Sequence, residues 1–66
     1  METQNKLILQ HLKVRPITPI EALEYYGCFR LAARIFDLRK YGHLIHMERV
    51  EENGKHFARY TLISEE

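Results

Sequence analysis

The amino-acid sequence predicts an α+β domain, three helices followed by a C-terminal two-stranded β-hairpin. Three observations carry that expectation. Thr18-Pro19-Ile20-Glu21 is a helix start, Gly27 parts this helix from a second apolar-periodic segment, and Asn53-Gly54 sits between two runs of period two.

The first helix is expected from Glu2 to about Lys13. Leu7, Ile8, His11 and Leu12 repeat there at helical spacing, with Leu9 beside them, and Thr3 is placed to cap the helix. Val14, Arg15 and Pro16 end it, because a residue before proline is pushed out of helical geometry. Ile17 then reads as a short extended residue, a candidate third strand beside the hairpin.

The second helix has the clearest local signal in the chain. Thr18 at the N-cap, Pro19 at the first helical position and Glu21 at the third form a capping box, with proline where a helix tolerates it best. The helix runs through Ala22, Leu23, Glu24, Tyr25 and Tyr26 and stops at Gly27, which takes the left-handed conformation cheaply. So short a helix must be held by packing.

After a turn at Gly27-Cys28, a third helix is expected over Phe29 to Tyr41. Leu31, Ile35 and Leu38 form its apolar face, extended by Ala32 and Phe36. Arg30, Ala33, Arg34, Asp37 and Tyr41 fall on the opposite side, and Gly42 closes the helix. Two helices joined by a short glycine-containing turn make a helix-turn-helix.

Beyond Gly42 the period changes to two. An Asn-Gly pair suits a hairpin turn whose central residues both need positive φ. With Asn53-Gly54 at the tip, Glu51 faces His56, Val50 faces Phe57, Glu48 faces Arg59, Met47 faces Tyr60 and Ile45 faces Leu62. Ile45, Met47, Ala58, Tyr60 and Leu62 share the face expected to cover the helices, and Val50 with Phe57 lies on the other. Residues 63–66 read as a frayed acidic tail.

Sixty-six residues make one domain, 1–66, and a chain of this size buries only about 60% of its unfolded surface. Oligomerisation is a common support for so small a core. No apolar run approaches the roughly 18 residues of a membrane span, and no signal-peptide pattern is present. The single cysteine, Cys28, forms no internal disulfide and suits a reducing cytoplasm. Net charge is only +1, low for a protein that grips phosphate non-specifically. The charge is uneven, however. Arg30, Arg34, Arg39 and Lys40 stand against Asp37 alone, while acid gathers at Glu21 and Glu24 and at Glu51 and Glu52.

The order helix, short strand, helix, basic helix and two-stranded wing resembles the winged helix-turn-helix superfamily. More narrowly, ITPIEALEYYG, LAARIFDLRKYGHLI and VEENGKHFARYTL resemble a small helix-turn-helix family found mainly in bacteriophages and prophages, as stand-alone proteins of similar length. The likeness covers almost the whole chain. It implies double-stranded DNA as partner, Phe29 to Tyr41 as recognition helix and Glu51 to His56 as wing tip. The chain departs from the common nucleic-acid pattern in that wing, where Glu51 and Glu52 stand with only Lys55 as a cation.

Base edges are read from the N-terminal part of a recognition helix. Arg30 and Arg34 are the lead candidates, since arginine reads guanine through a bidentate bond. Ala33 permits close approach, and Phe29, Asp37 and Tyr41 adjoin the same face. The plainer reading makes Arg34 and Asp37 an i,i+3 ion pair. Arg39 is expected to lie over the core and pair with Glu21 or Glu24, and Lys40 to meet phosphate or solvent. Arg15 and Thr18, at the start of the second helix, are candidates for a backbone phosphate, as is Lys55 in the wing. His11, His43, His46 and His56 match no metal spacing, so no metal or cofactor is expected. Neither a catalytic constellation nor a phosphate loop is present, and Cys28 reads as a buried structural thiol, so no enzyme is expected.

The sequence therefore points to a cytoplasmic DNA-binding regulator in a bacterial host cell, working as a homodimer on paired half-sites. The alternative is a protein-interaction module on the same scaffold, docking a host or phage protein. Near-neutral charge, the acidic wing and the outward Val50 and Phe57 favour it.

Overall fold

A computed structural model describes residues 3–64, with side chains through Ile63. Five elements follow in chain order: α1 (Thr3–Val14), α2 (Pro19–Tyr26), α3 (Leu31–Lys40), β1 (Leu44–Glu52) and β2 (Lys55–Ser64). The three helices and the antiparallel hairpin are those expected, although their boundaries differ in places.

In α1 the buried positions are Asn5, Ile8, Leu9, His11 and Leu12, while Leu7 is 37% exposed. The buried stripe is thus centred nearer Leu9 than the sequence suggested. Thr3 is part of the helix as described, and the residues before it lie outside the described range.

The start of α2 is as the sequence dictates. The Thr18 hydroxyl accepts from the Glu21 amide at 3.3 Å, and the Glu21 carboxylate accepts from the Thr18 amide at 3.1 Å. At the other end Gly27 takes φ 63° and ψ 27°, and its amide donates to the Leu23 carbonyl at 2.9 Å. The Cys28 amide reaches back to the Ala22 carbonyl at 3.1 Å, which draws the Cys28 side chain into the core.

That inward turn delays the third helix. Arg30, at φ −122° and ψ 65°, is outside helical geometry and serves as N-cap, so α3 begins at Leu31 and not at Phe29. It ends at Lys40 with Tyr41 as C-cap, and Gly42 follows at φ 101°. The Gly42 and His43 amides donate to the Arg39 and Leu38 carbonyls at 3.0 and 3.1 Å, closing the helix end.

The hairpin keeps the expected register from Glu51↔His56 through Val50↔Phe57, Glu48↔Arg59 and Met47↔Tyr60 to Ile45↔Leu62. Asn53 and Gly54 both have positive φ, at 53° and 75°. A register shift between Leu44 and Ile45 pairs Leu44 with Ser64, so Ile63 and Ser64 extend β2 and are not part of a frayed tail. Ile17 exchanges both backbone hydrogen bonds with Tyr60, at 3.0 and 2.9 Å, which makes the expected one-residue third strand.

Each element contributes to one core. Ile8, Leu9 and Leu12 of α1 meet Leu31, Ile35 and Leu38 of α3, with Ile17, Ala22, Cys28 and Ile45 closing the sides. Tyr60 and Leu62 pack against it from β2, whereas Met47 on the same hairpin face is 46% exposed. The helices cover only the helix-proximal part of that face. The hairpin projects beyond them, and its nine-residue first strand at about 3.3 Å per residue accounts for most of the 35 Å long axis.

Candidate nucleic-acid interface

The surface of α3 is set by what α1 covers. Leu31, Ile35 and Leu38 point inward, and the α1 side of the helix carries Arg34 and Asp37. Arg34 donates to the Gln4 side chain at 3.4 Å and pairs with the Asp37 carboxylate at 3.2 Å. Asp37 also accepts from the Asn5 amide at 3.4 Å. The Arg34 side chain is only 22% exposed and Asp37 34%. The i,i+3 ion pair of the plainer reading is present, and Arg34 stands against α1 instead of on an open face.

The outward pole lies elsewhere. Ala32, Phe36 and Lys40 follow one another at i,i+4 spacing and are all exposed, with Ala33 half-buried beside them. Phe36 is 62% exposed, and the Lys40 ammonium stands 5.6 Å from the centre of its ring. Ala32 and Phe36 were expected to extend the apolar core face. That expectation fails because the core accepts a stripe only as wide as Leu31, Ile35 and Leu38. Phe29, in the turn before α3, is 85% exposed, and Tyr41 past its end is 62% exposed.

Arg30 is exposed at the helix start and makes no side-chain cap bond. In contrast with α2, therefore, no side chain covers the first-turn amides of α3 at its N-cap, and the positive end of the helix dipole stands beside a cation there. Arg39 lies over the core edge as expected, but its partner is different. Its guanidinium donates to the Ile45 carbonyl from Nη2 at 2.8 Å and from Nε at 3.3 Å, joining α3 to β1 instead of pairing with Glu21 or Glu24.

The remaining candidates separate. Arg15 is exposed and borders a groove between the start of α2 and the hairpin. Thr18 borders the same groove, but its hydroxyl and amide are both committed to Glu21, so this helix start offers a phosphate no free Thr18 amide. Lys55 is exposed at the wing, facing Glu52 across the strand pair. Cys28 is a free, buried thiol. Among the described residues, no group of three or more His, Cys, Asp or Glu is placed to hold a metal ion. None of their helices is long and apolar enough to cross a membrane.

A two-helix motif with a four-residue connection, Gly27 to Arg30, followed by a hairpin wing is the geometry on the page. A family model described as a winged helix-turn-helix domain matches residues 3–65. The chain belongs to the winged helix-turn-helix family. No curated protein and no solved structure matches it. In this winged helix-turn-helix domain α3 takes the position of the recognition helix and β1–β2 form the wing. DNA binding is the role that the fold suggests. The exposed pole of that helix was missed from sequence because hydrophobicity alone drew Ala32 and Phe36 inward. Polar Gln4 and Asn5 at the start of α1 were the available signal that Arg34 and Asp37 would be covered.

Proposed function

We propose that this winged helix-turn-helix domain is a sequence-specific double-stranded DNA-binding protein, a transcriptional regulator of phage or prophage origin, with α3 entering the major groove. The observation that carries the reading is the open pole of α3, flanked at its two ends by the exposed cations Arg30 and Lys40. Arg30 stands at the N-terminal end, where recognition helices approach base edges and phosphates. Arg15 and Lys55 are supporting phosphate contacts. Arg34 and Asp37 act indirectly, fixing α3 against α1. One domain of this size covers little DNA, so a homodimer on half-sites about 34 Å apart is the working form.

Fluorescence anisotropy with mixed-sequence duplexes, at low and moderate salt, tests this. The double variant Arg30→Ala/Lys40→Ala is expected to bind at least about tenfold more weakly, given roughly 1–3 kcal/mol for one good base contact. Arg34→Ala is expected to show mainly reduced stability. Undiminished binding by the double variant would remove α3 from the interface.

A second reading, docking of a host or phage protein, is favoured by the groove between α2 and the wing. Its apolar wall is formed by Pro19, Ile20, Val50 and Phe57, and Ile20 is 65% exposed. Under that reading Ile20→Asp abolishes biological activity while DNA affinity in vitro is unchanged.

A further inference from the structure

The arginines of α3 that are suited to reading bases through paired hydrogen bonds are turned away from its outward pole. Arg34 faces Gln4 and Asp37, and Arg39 is held by the Ile45 carbonyl. What points outward is Ala32 and Phe36, with Phe29 exposed just before the helix. Apolar side chains have one base-specific contact in the major groove, the C5-methyl group of thymine. Lys40 bears on the choice of occupant, because its ammonium stands 5.6 Å from the Phe36 ring centre. A partner protein covering Phe36 would have to desolvate that ammonium or supply a counter-charge. The major groove places apolar methyls on its floor and phosphates along its walls, so both parts of the pair find complements there.

We propose that Ala32 and Phe36 read thymine methyl groups, with Lys40 on an adjacent phosphate, so that the chain selects A·T-rich sites through the major groove. This rests on α3 being the DNA-facing helix, and the test separates the two ideas.

Four duplexes of equal length are titrated with the full chain by fluorescence anisotropy: alternating A·T, A·U, I·C and G·C. Uracil differs from thymine only by the methyl group, and I·C presents the minor groove of A·T without any methyl. The A·T duplex is expected to bind tightest, with affinity falling about fourfold in A·U for each methyl contacted. The I·C duplex should bind no better than A·U. Phe36→Ala should bring the A·T to A·U ratio close to one, and Phe36→Leu should retain part of it. Phe36 is largely exposed, so both variants are expected to keep the wild-type circular dichroism spectrum.

Equal binding to A·T and A·U overturns the methyl readout and leaves DNA binding standing. Tight binding to I·C at the A·T level also overturns it, by placing the selection in the minor groove. An A·T to A·U ratio that survives Phe36→Ala removes the role of Phe36. Absence of binding to all four duplexes at low salt overturns the DNA reading itself. Concentration-dependent dimerisation lost in Phe36→Ala would then make this pole a contact between two copies.

Discussion

His11 sits buried in α1 with both ring nitrogens engaged, Nδ1 2.9 Å from the Tyr26 hydroxyl and Nε2 3.2 Å from the Pro16 carbonyl. A carbonyl can only accept, so Nε2 carries the proton, and in the neutral ring the Tyr26 hydroxyl donates to Nδ1. One side chain thereby ties α1 to the end of α2 and to the linker before it. His11→Ala is expected to cost about 1–3 kcal/mol, because it leaves the Pro16 carbonyl and the Tyr26 hydroxyl without their partner. Tyr26→Phe should cost less, about 1 kcal/mol, since it removes one bond. Urea unfolding monitored by circular dichroism measures both, and a neutral His11→Ala would show that water replaces the ring without loss. Contacts of this kind explain what was legible at residue scale. The Arg34–Asp37 pair lies within one helix turn and followed from spacing alone. The attachments of Arg34 to Gln4 and of Arg39 to Ile45 depend on how elements pack, which local spacing does not encode.

Among the elements, those with strong local chemistry were read best. The capping box of α2 and the Asn53-Gly54 turn fix their own geometry, and the turn then fixes every cross-strand pair down to Ile45↔Leu62. The bulge beyond that pair has no residue signature in Leu44 or Ile63, so the end of β2 was misplaced. The start of α3 was misplaced because burial of Cys28 bends the chain inward, and burial of one thiol is a tertiary fact. Orientation of α3 about its axis failed for a related reason. A helical wheel gives the centre of the apolar stripe but not which flank a neighbouring helix covers. Two element-scale outcomes follow from the local chemistry. Thr18→Ala should lower stability by about 1 kcal/mol, a fall of roughly 4–8 °C in Tm for a domain this small. Gly54→Val forces a β-branched side chain into φ 75° and should cost about 1–2 kcal/mol, with loss of hairpin signal by NMR. A Tm unchanged by Thr18→Ala would mean that packing alone sets the entry to α2.

For the whole molecule, the decisive quantity is how few phosphates a chain of net charge +1 can neutralise. Affinity for B-DNA falls with salt at a log–log slope of about −0.9 per phosphate contacted. With Arg30, Lys40 and Arg15 as exposed cations on or near α3, each domain should show a slope of roughly −2 to −3, and a dimer about twice that. The wing opposes this field. Glu51 and Glu52 lead the tip, and the ring of His56, across the strand pair, lies 4.0 Å from the Glu51 carboxylate. If α3 lies in the major groove, a hairpin whose strands run nine and ten residues holds that acid close to the adjoining backbone. Glu51→Lys/Glu52→Lys is therefore expected to tighten binding at low salt and to steepen the slope by about one to two. The pair is exposed, so stability should change by less than about 0.5 kcal/mol. Anisotropy titrations across a salt series read both affinity and slope. A slope identical to wild type would place the wing clear of phosphate and confine the DNA contact to α3. A flat salt dependence in the wild type would instead remove phosphate from the interface and favour the protein-docking reading.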